Sequence, residues 1–263
     1  MSFVKAKKHL GQHFLTDKKI AAKIVDGLIR TDEYQQVLEV GPGMGILSDI
    51  LLERTNFETY LIDIDVESYH FLQGKYPQLG PRLINGDFLA LNLSDLFNGK
   101  YAIIGNFPYN ISSQILFKIL ENRSQVVEMV GMFQKEVAER CASREGTKDY
   151  GILSVLIQAY YDIDYLFTVK PGTFNPPPKV NSGVIRLSRN DVVELPCDEK
   201  LFWRTVKAGF NQRRKTLRNA LSGVVPKDKM DAHAYFDKRA EQLAVSDFII
   251  LTQHLTQLLQ DKS

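Results

Sequence analysis

The chain has 263 residues, with 33 Lys and Arg against 31 Asp and Glu, so its formal net charge is +2. That length fits one large domain or two modest ones. A composition of 44% hydrophobic and 24% charged residues argues against extensive disorder. No apolar run approaches the roughly 20 residues that span a bilayer, and the basic N-terminus lacks the apolar core of a secretory signal. Two cysteines outside any CxxC pair, Cys141 and Cys197, exclude a disulfide framework and a cysteine-based zinc site. We therefore expect a cytoplasmic protein with no membrane partner and no metal.

The positive charge is concentrated in two segments. Residues 1–30 carry seven Lys and Arg and two Asp, a net +5, and residues 203–218 carry six Lys and Arg and no acid, a net +6. The rest of the chain therefore has a net charge of −9. Two basic segments on an acidic body favour a polyanionic partner, although each is equally compatible with a solvated helix face.

The first half of the chain alternates between strand and helix patterns. Thr16 is expected to cap an amphipathic helix, because apolar residues follow it at helical spacing. Strands are predicted at 36–40, 59–65, 82–84, 101–105, 126–133, within 154–169 and at 180–187. Helices are predicted at 46–53, 66–75, 111–121 and 135–143. This alternation indicates an α/β domain with a mostly parallel sheet covered on both faces.

The pattern changes after Leu187. Residues 188–200 are polar and without periodicity, which is typical of a linker, and every periodic segment beyond them is helical. The last helix has apolar residues on one face, and Ser246 is expected to cap it. We therefore predict a catalytic domain over residues 1–190 and a small helical domain over residues 191–263.

A glycine-rich turn follows the first strand of the predicted sheet. Gly41, Gly43 and Gly45 allow the chain to turn sharply and a ligand to approach the backbone. Asp63 ends the next strand, at the spacing of an acid that accepts hydrogen bonds from a ribose diol. The spacing GxGxG departs from the GxGxxG of dinucleotide sites. It disfavours NAD and suits S-adenosylmethionine, which has a ribose but no pyrophosphate.

A third strand ends at Asp87 and Phe88. The carboxylate there is suited to accept a hydrogen bond from an adenine amino group, beside an aromatic wall. Asp63 and Asp87 could each simply cap a turn or helix, but sites on successive strand ends rarely align by chance. We therefore expect S-adenosylmethionine as the cofactor.

The segment Asn106-Phe107-Pro108-Tyr109-Asn110 follows the fourth strand. The exocyclic amine of adenine is a poor nucleophile, because its lone pair is delocalised into the ring. Two acceptors, the side-chain oxygen of Asn106 and the backbone carbonyl of Pro108, can turn that nitrogen towards sp³ geometry. Tyr109 offers a face on which an extruded base stacks. The segment thus predicts methylation of an adenine amine by orientation and electrostatics, without a general base.

Several motifs together resemble those of the ribosomal RNA small subunit adenine N6-dimethyltransferases, of the KsgA/RsmA type. They are GQHFL at 11–15, EVGPGMG at 39–45, NFPYNI at 106–111, FNPPPKV at 174–180, YGILS at 150–154, FNQRRKTLRN at 210–219 and RAEQL at 239–243. The resemblance implies a class I S-adenosylmethionine-dependent methyltransferase fold, Rossmann-like and seven-stranded, with a small C-terminal all-helical domain. It also implies dimethylation of two adjacent adenines in the 3′-terminal hairpin of small-subunit (16S) rRNA, during ribosome biogenesis.

The resemblance also implies roles for individual residues. It adds His13 and Leu15 to the cofactor contacts Gly41, Gly43, Gly45, Asp63, Asp87, Phe88 and Asn106. The family commonly has Asn at the position of His13 and Glu at that of Asp63. Phe174, held by the prolines that follow, either flanks the target base opposite Tyr109 or packs beneath the loop. The implied rRNA phosphate contacts are Arg213, Arg214, Lys215 and Arg218.

Three other functions share some of these features. An erythromycin-resistance-type methylase of large-subunit rRNA would have a similar glycine turn and catalytic segment. A DNA adenine methylase is disfavoured, because about 70 residues beyond the boundary leave little room for a base-reading domain. A ribosome-assembly factor, which binds an immature small subunit and leaves it after methylation, is compatible with the enzyme. A monomer is expected.

Overall fold

The computed structural model describes residues 4–260 of the chain. The strands within this part are β1 (Phe14–Leu15), β2 (Gln36–Val40), β3 (Glu58–Asp63), β4 (Leu83–Asn85), β5 (Tyr101–Asn106), β6 (Val126–Gln134), β7 (Tyr161–Val169), β8 (Phe174–Asn175) and β9 (Ser182–Arg189). The α-helices are α1 (Lys18–Val25), α2 (Ile46–Leu51), α3 (Val66–Lys75), α4 (Ser112–Glu121), α5 (Lys135–Ala142), α6 (Ile152–Gln158), α7 (Glu199–Asn211), α8 (Leu217–Ala220) and α9 (Val245–Gln260).

In the described part of the chain, seven strands form one sheet in the order β4-β3-β2-β5-β6-β9-β7. The pairs β2–β3, β2–β5, β3–β4 and β5–β6 are parallel, and β9 runs antiparallel to β6. Because β2 to β5 are parallel, their carboxyl ends meet at one edge of the sheet, where open α/β folds bind ligands. The predicted mostly parallel seven-stranded sheet is confirmed.

The interior of the sheet is apolar on both faces, as parallel strands require. Val37 and Leu38 of β2 are both fully buried, although they point to opposite faces. The buried carboxylate of Glu128 on β6 accepts hydrogen bonds from the backbone N–H groups of Ile29 and Arg30 and from the Tyr34 hydroxyl. These bonds fix the segment after α1 against the sheet and compensate the burial of a carboxylate.

Local details differ from the sequence prediction in three places. The N-cap of α1 is Asp17, whose side chain accepts from two backbone N–H groups, whereas Thr16 bonds to the carbonyl of Thr173. The last helix begins at Val245, so Ser246 lies inside it and does not cap it. The stretch 152–158, partly predicted as strand, is the helix α6, because strand and helix are hard to distinguish in a short apolar run.

The chain divides into two compact units. Of the described residues, one unit contains 4–139 and 162–189, and the other contains 140–161 and 190–260. The second unit thus includes a segment around α6 that the sequence prediction assigned to the catalytic domain. A catalytic role for the first unit and an rRNA-binding role for the second stay predictions. Within residues 4–260, no helix is both long enough and apolar enough to cross a bilayer.

Candidate active site

A cleft lies at the carboxyl edge of the sheet, and we call it the strand-end cleft. It offers about 970 Å³ of space not filled by protein atoms. Its walls come from the ends of β2, β3 and β5, the turn after β4, and the N-terminal segment 9–14. The cleft brings together these predicted site residues: His13, Gly41, Gly43, Asp63, Asp87, Phe88, Asn106, Pro108 and Tyr109.

The three glycines of the turn after β2 meet different surroundings. Gly41 has a φ of +68°, and a Cβ there would meet no heavy atom within 4 Å, so the cleft reaches its backbone. At Gly43 a Cβ would lie 2.7 Å from the Phe14 ring, and at Gly45 it would lie 2.5 Å from the Tyr76 hydroxyl. Gly41 therefore leaves room for a ligand, whereas Gly43 and Gly45 allow close packing. Gly45 is the N-cap residue of α2 and does not line the cleft.

The carboxylate of Asp63 is held in place by backbone groups. Its Oδ2 accepts from the N–H of Gly43 at 3.1 Å, and its Oδ1 accepts from the N–H of Asp65 at 2.9 Å. Burial raises the pKa of Asp63 to about 6, and the two backbone hydrogen bonds offset only part of that effect. The carboxylate is thus rigid, and its protonation changes within the mildly acidic range.

We expect cofactor affinity to fall as the pH is lowered through about 6. If Asp63 binds a ribose diol, as the sequence predicts, the diol would donate to the ionised carboxylate, and a proton on that carboxylate would remove the acceptor. Below pH 6, the affinity for S-adenosylhomocysteine should decrease by about tenfold for each pH unit. Calorimetric titration between pH 8 and pH 5 measures this. Asp63→Asn should bind weakly at pH 8 without the fall, and an equal fall in that variant would assign the titration to another group.

Glu39 lies just before the glycine turn and is almost completely buried. Its Oε2 accepts from the Ser48 hydroxyl at 2.6 Å. Burial raises the pKa of Glu39 to about 8, against the lowering effect of that hydrogen bond. The carboxyl group is therefore mainly protonated at neutral pH.

Asp87 and Phe88 form the wall of the cleft beyond β4. Asp87 is exposed, and its Oδ1 accepts from the N–H of Leu89 at 2.8 Å, so it does cap the turn. A carboxylate has further lone pairs, and capping leaves it able to accept from a ligand as well. Phe88 is buried but still lines the cleft, as an aromatic wall requires.

Asn106 ends β5, and its side chain has a defined orientation. Its Nδ2 donates to the backbone carbonyl of His13 at 2.8 Å, and no other residue of the described part hydrogen-bonds its Oδ1. Within residues 4–260, the Pro108 carbonyl accepts only long bonds, from the N–H of Ile111 at 3.3 Å and from the Ser112 hydroxyl at 3.5 Å. Both oxygens therefore retain lone pairs for a donor in the strand-end cleft.

Tyr109 lies beside these acceptors. Its hydroxyl hydrogen-bonds to the Ser182 hydroxyl at the start of β9, and its ring lies 5.6 Å from the His13 ring. Nδ1 of His13 lies 2.8 Å from the carbonyl of Pro176, so Nδ1 carries the hydrogen of that bond. Burial raises the pKa of Tyr109, which therefore stays a neutral phenol at physiological pH. The hydrogen bond to Ser182 holds the Tyr109 ring by its hydroxyl and does not cover the face of the ring.

Leu15 and Phe174 lie in the core and not in the cleft. They pair across β1 and β8, a two-stranded antiparallel sheet that the sequence analysis did not predict. Phe174 is 5% exposed and belongs to the same buried cluster as Leu15. Of its two predicted roles, this position favours packing beneath the proline-rich loop. Leu15 lines a smaller cavity next to Asn106 and Glu39.

The four basic residues predicted to contact phosphates differ in their surroundings. Arg213 donates to the carbonyl of Thr147, and Arg218 donates to the carbonyls of Met230 and Asp231. Arg214 and Lys215 are exposed and have no ion pair within the described part of the chain. Arg214 and Lys215 are thus the pair most available to a polyanion, whereas Arg218 also supports its own unit.

Two residues that the sequence analysis did not single out support the site. Ser182 holds the Tyr109 hydroxyl, and Asp65 holds the N-terminal segment next to His13. Asp65 lies two residues after Asp63, and Gln12 lies within the quoted motif GQHFL. No spacing in the sequence marked Ser182 or Asp65, because their contacts join segments that are far apart in the chain.

The chain is similar to known proteins over nearly its whole length. The sequence profile of the family described as ribosomal RNA adenine dimethylase matches residues 3–257. The ribosomal RNA small subunit methyltransferase A of Cytophaga hutchinsonii is 59% identical, over 97% of this chain and 99% of that protein. The protein of the same name from Flavobacterium johnsoniae is 54% identical, over 97% of each chain.

The chain belongs to the ribosomal RNA adenine dimethylase family. It is therefore an S-adenosylmethionine-dependent rRNA adenine dimethyltransferase, as the sequence motifs predicted.

Solved structures confirm the fold of this methyltransferase. The dimethyladenosine transferase from Plasmodium falciparum superposes with a TM-score of 0.78 at 23% identity, covering 94% of this chain and 98% of that one. The 23S rRNA methyltransferase ErmE superposes with a TM-score of 0.65 at 24% identity, covering 91% and 99%. The class I methyltransferase fold predicted from the sequence is confirmed.

The strand-end cleft fits S-adenosylmethionine. The space next to Gly41 admits a ligand to the backbone, and the rigid carboxylate of Asp63 lies within the same cleft. Phe88 supplies an apolar wall for a flat ring. The cleft therefore combines a polar end suited to a ribose with an aromatic wall suited to adenine.

Proposed function

We propose that the enzyme dimethylates N6 of two adjacent adenines in the 3′-terminal hairpin of small-subunit rRNA. The observation that carries the proposal is the orientation of Asn106, whose Nδ2 is bound to the His13 carbonyl so that Oδ1 is the side-chain atom left to accept. The names of relatives that are 51–59% identical support the small subunit as substrate. We expect the enzyme to act as a monomer in the cytoplasm, on small-subunit particles.

S-adenosylmethionine supplies an electrophilic methyl group on a sulfonium. In the proposed mechanism, Asp63 binds the ribose hydroxyls of this cofactor, and Asp87 with Phe88 binds its adenine. Asn106 Oδ1 and the Pro108 carbonyl accept the two N–H groups of the target amine. This removes the lone pair of N6 from conjugation and aims it at the methyl group. Tyr109 stacks on the base and holds it in that position.

A proton must leave N6 once the nitrogen has been methylated. Asn106 has no basicity for this task, and the methylated nitrogen is acidic enough to release its proton to water. For the second transfer, one N–H group remains and needs only one of the two acceptors. The residues of the site therefore contribute orientation and charge stabilisation to both steps.

Two other functions share features with the proposed one. A large-subunit methylase shares the fold, as the superposition with ErmE illustrates, but the relatives with the highest identity given above carry small-subunit names. An assembly factor that leaves the subunit after methylation is compatible with the same site. The exposed pair Arg214 and Lys215 supports an rRNA contact in either case.

We expect Arg214→Ala/Lys215→Ala to weaken rRNA binding without affecting cofactor binding. Loss of two phosphate contacts should flatten the slope of log affinity against log salt by about 1.5. Binding titrations with small-subunit rRNA at several salt concentrations measure this. The control Arg54→Ala/Lys100→Ala also removes two exposed charges, neither of which lines the strand-end cleft. Equal slopes in both double variants would contradict the rRNA contact.

The proposed function is tested by methyl transfer from labelled S-adenosylmethionine to small subunits that lack the modification. Mass spectrometry of the digested RNA identifies the nucleoside and its position. We expect dimethyladenosine at two adjacent positions of the 3′-terminal hairpin. Transfer to large-subunit rRNA alone would favour the resistance-type methylase, and tight subunit binding without transfer would favour a purely assembly-related role.

A further inference from the structure

Asp65 binds more partners than its place at the start of α3 requires. It is 2% exposed, and its carboxylate caps the helix by accepting from the N–H of Glu67 at 3.1 Å and from the Ser68 hydroxyl at 3.3 Å. The same carboxylate accepts from Lys7 Nζ at 2.5 Å and from Gln12 Nε2 at 3.0 Å. A helix cap needs neither of these last two bonds.

Lys7 and Gln12 are also bonded to each other. The Oε1 of Gln12 accepts from the backbone N–H of Lys7 at 2.8 Å, so the side-chain amide of Gln12 is fixed at both ends. Residues 7–13 thus form a closed segment attached to Asp65, and we call it the clasp. The pKa of Asp65 lies below its usual value: burial acts to raise it, but the hydrogen bonds from Lys7, Gln12 and the N–H of Glu67, together with the positive charge of Lys7, outweigh that effect.

The clasp ends on the catalytic segment. Its last residue, His13, provides the carbonyl to which Asn106 Nδ2 donates. Gly11 approaches the same segment so closely that a Cβ would lie 2.8 Å from Asn110 Oδ1. The clasp therefore supplies the acceptor to which the Asn106 amide is bonded.

Asp65 also acts on the cofactor side of the strand-end cleft. Its backbone N–H donates to Asp63 Oδ1 at 2.9 Å and orients the carboxylate that we assign to the ribose. Residues 9–13 of the clasp line the strand-end cleft together with Asp63 and Asn106. One residue thus joins the ribose acid, the clasp and, through the clasp, the catalytic amide.

We propose that Asp65 is a positioning residue, which holds the clasp over the strand-end cleft and thereby fixes the Asn106 amide with its oxygen available to the target amine. This inference rests on the proposed function only for the role of Asn106. It assigns to Lys7, Gln12 and Asp65 a task in catalysis that acts through Asn106; Lys7 and Asp65 do not line the cleft, whereas Gln12 does. A purely structural helix cap would not require Lys7 or Gln12.

The test uses the full-length protein and variants that change the clasp but not the helix cap. Gln12→Ala and Lys7→Met remove donors to Asp65, and Lys7→Arg keeps the cation. Arg54→Met is the control for the loss of an equally short ion pair, 2.5 Å from Asp26, between residues that do not line the cleft; this pair is more exposed than that of Lys7 and Asp65. Unfolding midpoint, amide hydrogen exchange with and without S-adenosylhomocysteine, and kcat and KM for rRNA are measured on each.

In the wild type, S-adenosylhomocysteine should slow exchange in residues 7–13. In Gln12→Ala and Lys7→Met, we expect faster exchange there and a kcat at least about tenfold lower at a temperature where both variants are fully folded, whereas the control should keep wild-type kcat. Lys7→Arg should restore kcat. Wild-type kcat in spite of faster exchange, or unchanged exchange in both variants, would overturn the proposal. If the wild type itself methylates no rRNA, the proposed function fails, but exchange still decides whether the clasp closes over the cleft.

Discussion

Asn106→Ala should lower the kcat of methyl transfer by about 100- to 1,000-fold, the usual cost of losing one preorganised hydrogen-bonding group at a reacting centre. In this variant, the target amine keeps only the Pro108 carbonyl, so its lone pair stays conjugated with the ring. Single-turnover transfer to small subunits measures the chemical step directly.

The matched control is Asn92→Ala, which also removes an amide but from an exposed turn, where it bonds Asp95. This variant should keep wild-type kcat. Subunits should still bind to Asn106→Ala, and slow departure of that variant from them would support a link between methylation and release. A kcat within about threefold of the wild type would remove Asn106 from the mechanism, because one lost preorganised group costs far more than that.

Tyr109→Ala should weaken productive binding of the target adenine by about 10- to 100-fold. Stacking of a base on an aromatic ring contributes about 1–3 kcal/mol, and alanine removes the whole surface. The loss should be largest in kcat/KM for rRNA, and the affinity for S-adenosylhomocysteine should stay nearly unchanged.

Tyr109→Phe separates the ring from its hydroxyl. It keeps the stacking surface and loses only the hydrogen bond to Ser182. If stacking is the function of this residue, the phenylalanine variant should stay within a few-fold of the wild type. Equal losses in both variants would instead assign the role of Tyr109 to its contact with Ser182, which orients the segment.

These experiments separate two kinds of contribution to one reaction. Asn106 and Tyr109 are proposed to touch the target base, whereas Asp65 and the clasp are proposed to act through Asn106. The first pair should change the chemistry and the base affinity directly. The clasp variants should change kcat together with the exchange of residues 7–13. A comparison of the two sets therefore shows whether the catalytic amide is oriented by its own strand or by the N-terminal segment.

The fold class and several residues of the strand-end cleft could be predicted from local patterns in the sequence. The alternation of strands and helices predicted a parallel sheet, and parallel strands bring their carboxyl ends to one edge. Gly41, Asp63, Asp87 and Asn106 each follow or end such a strand, so local patterns were sufficient to gather them. The motifs predicted the family for the same reason, because each one lies within a short stretch of chain.

Contacts between distant segments could not be predicted in this way and became visible in the tertiary structure. The pairing of β1 with β8 buries Phe174 in the core, and neither two-residue strand has a periodicity that a sequence can display. The link from Asp65 to Lys7 and Gln12 spans more than 50 residues, as does that from Tyr109 to Ser182. Such contacts depend on where packing places two surfaces, and a single sequence records local preferences but not that placement.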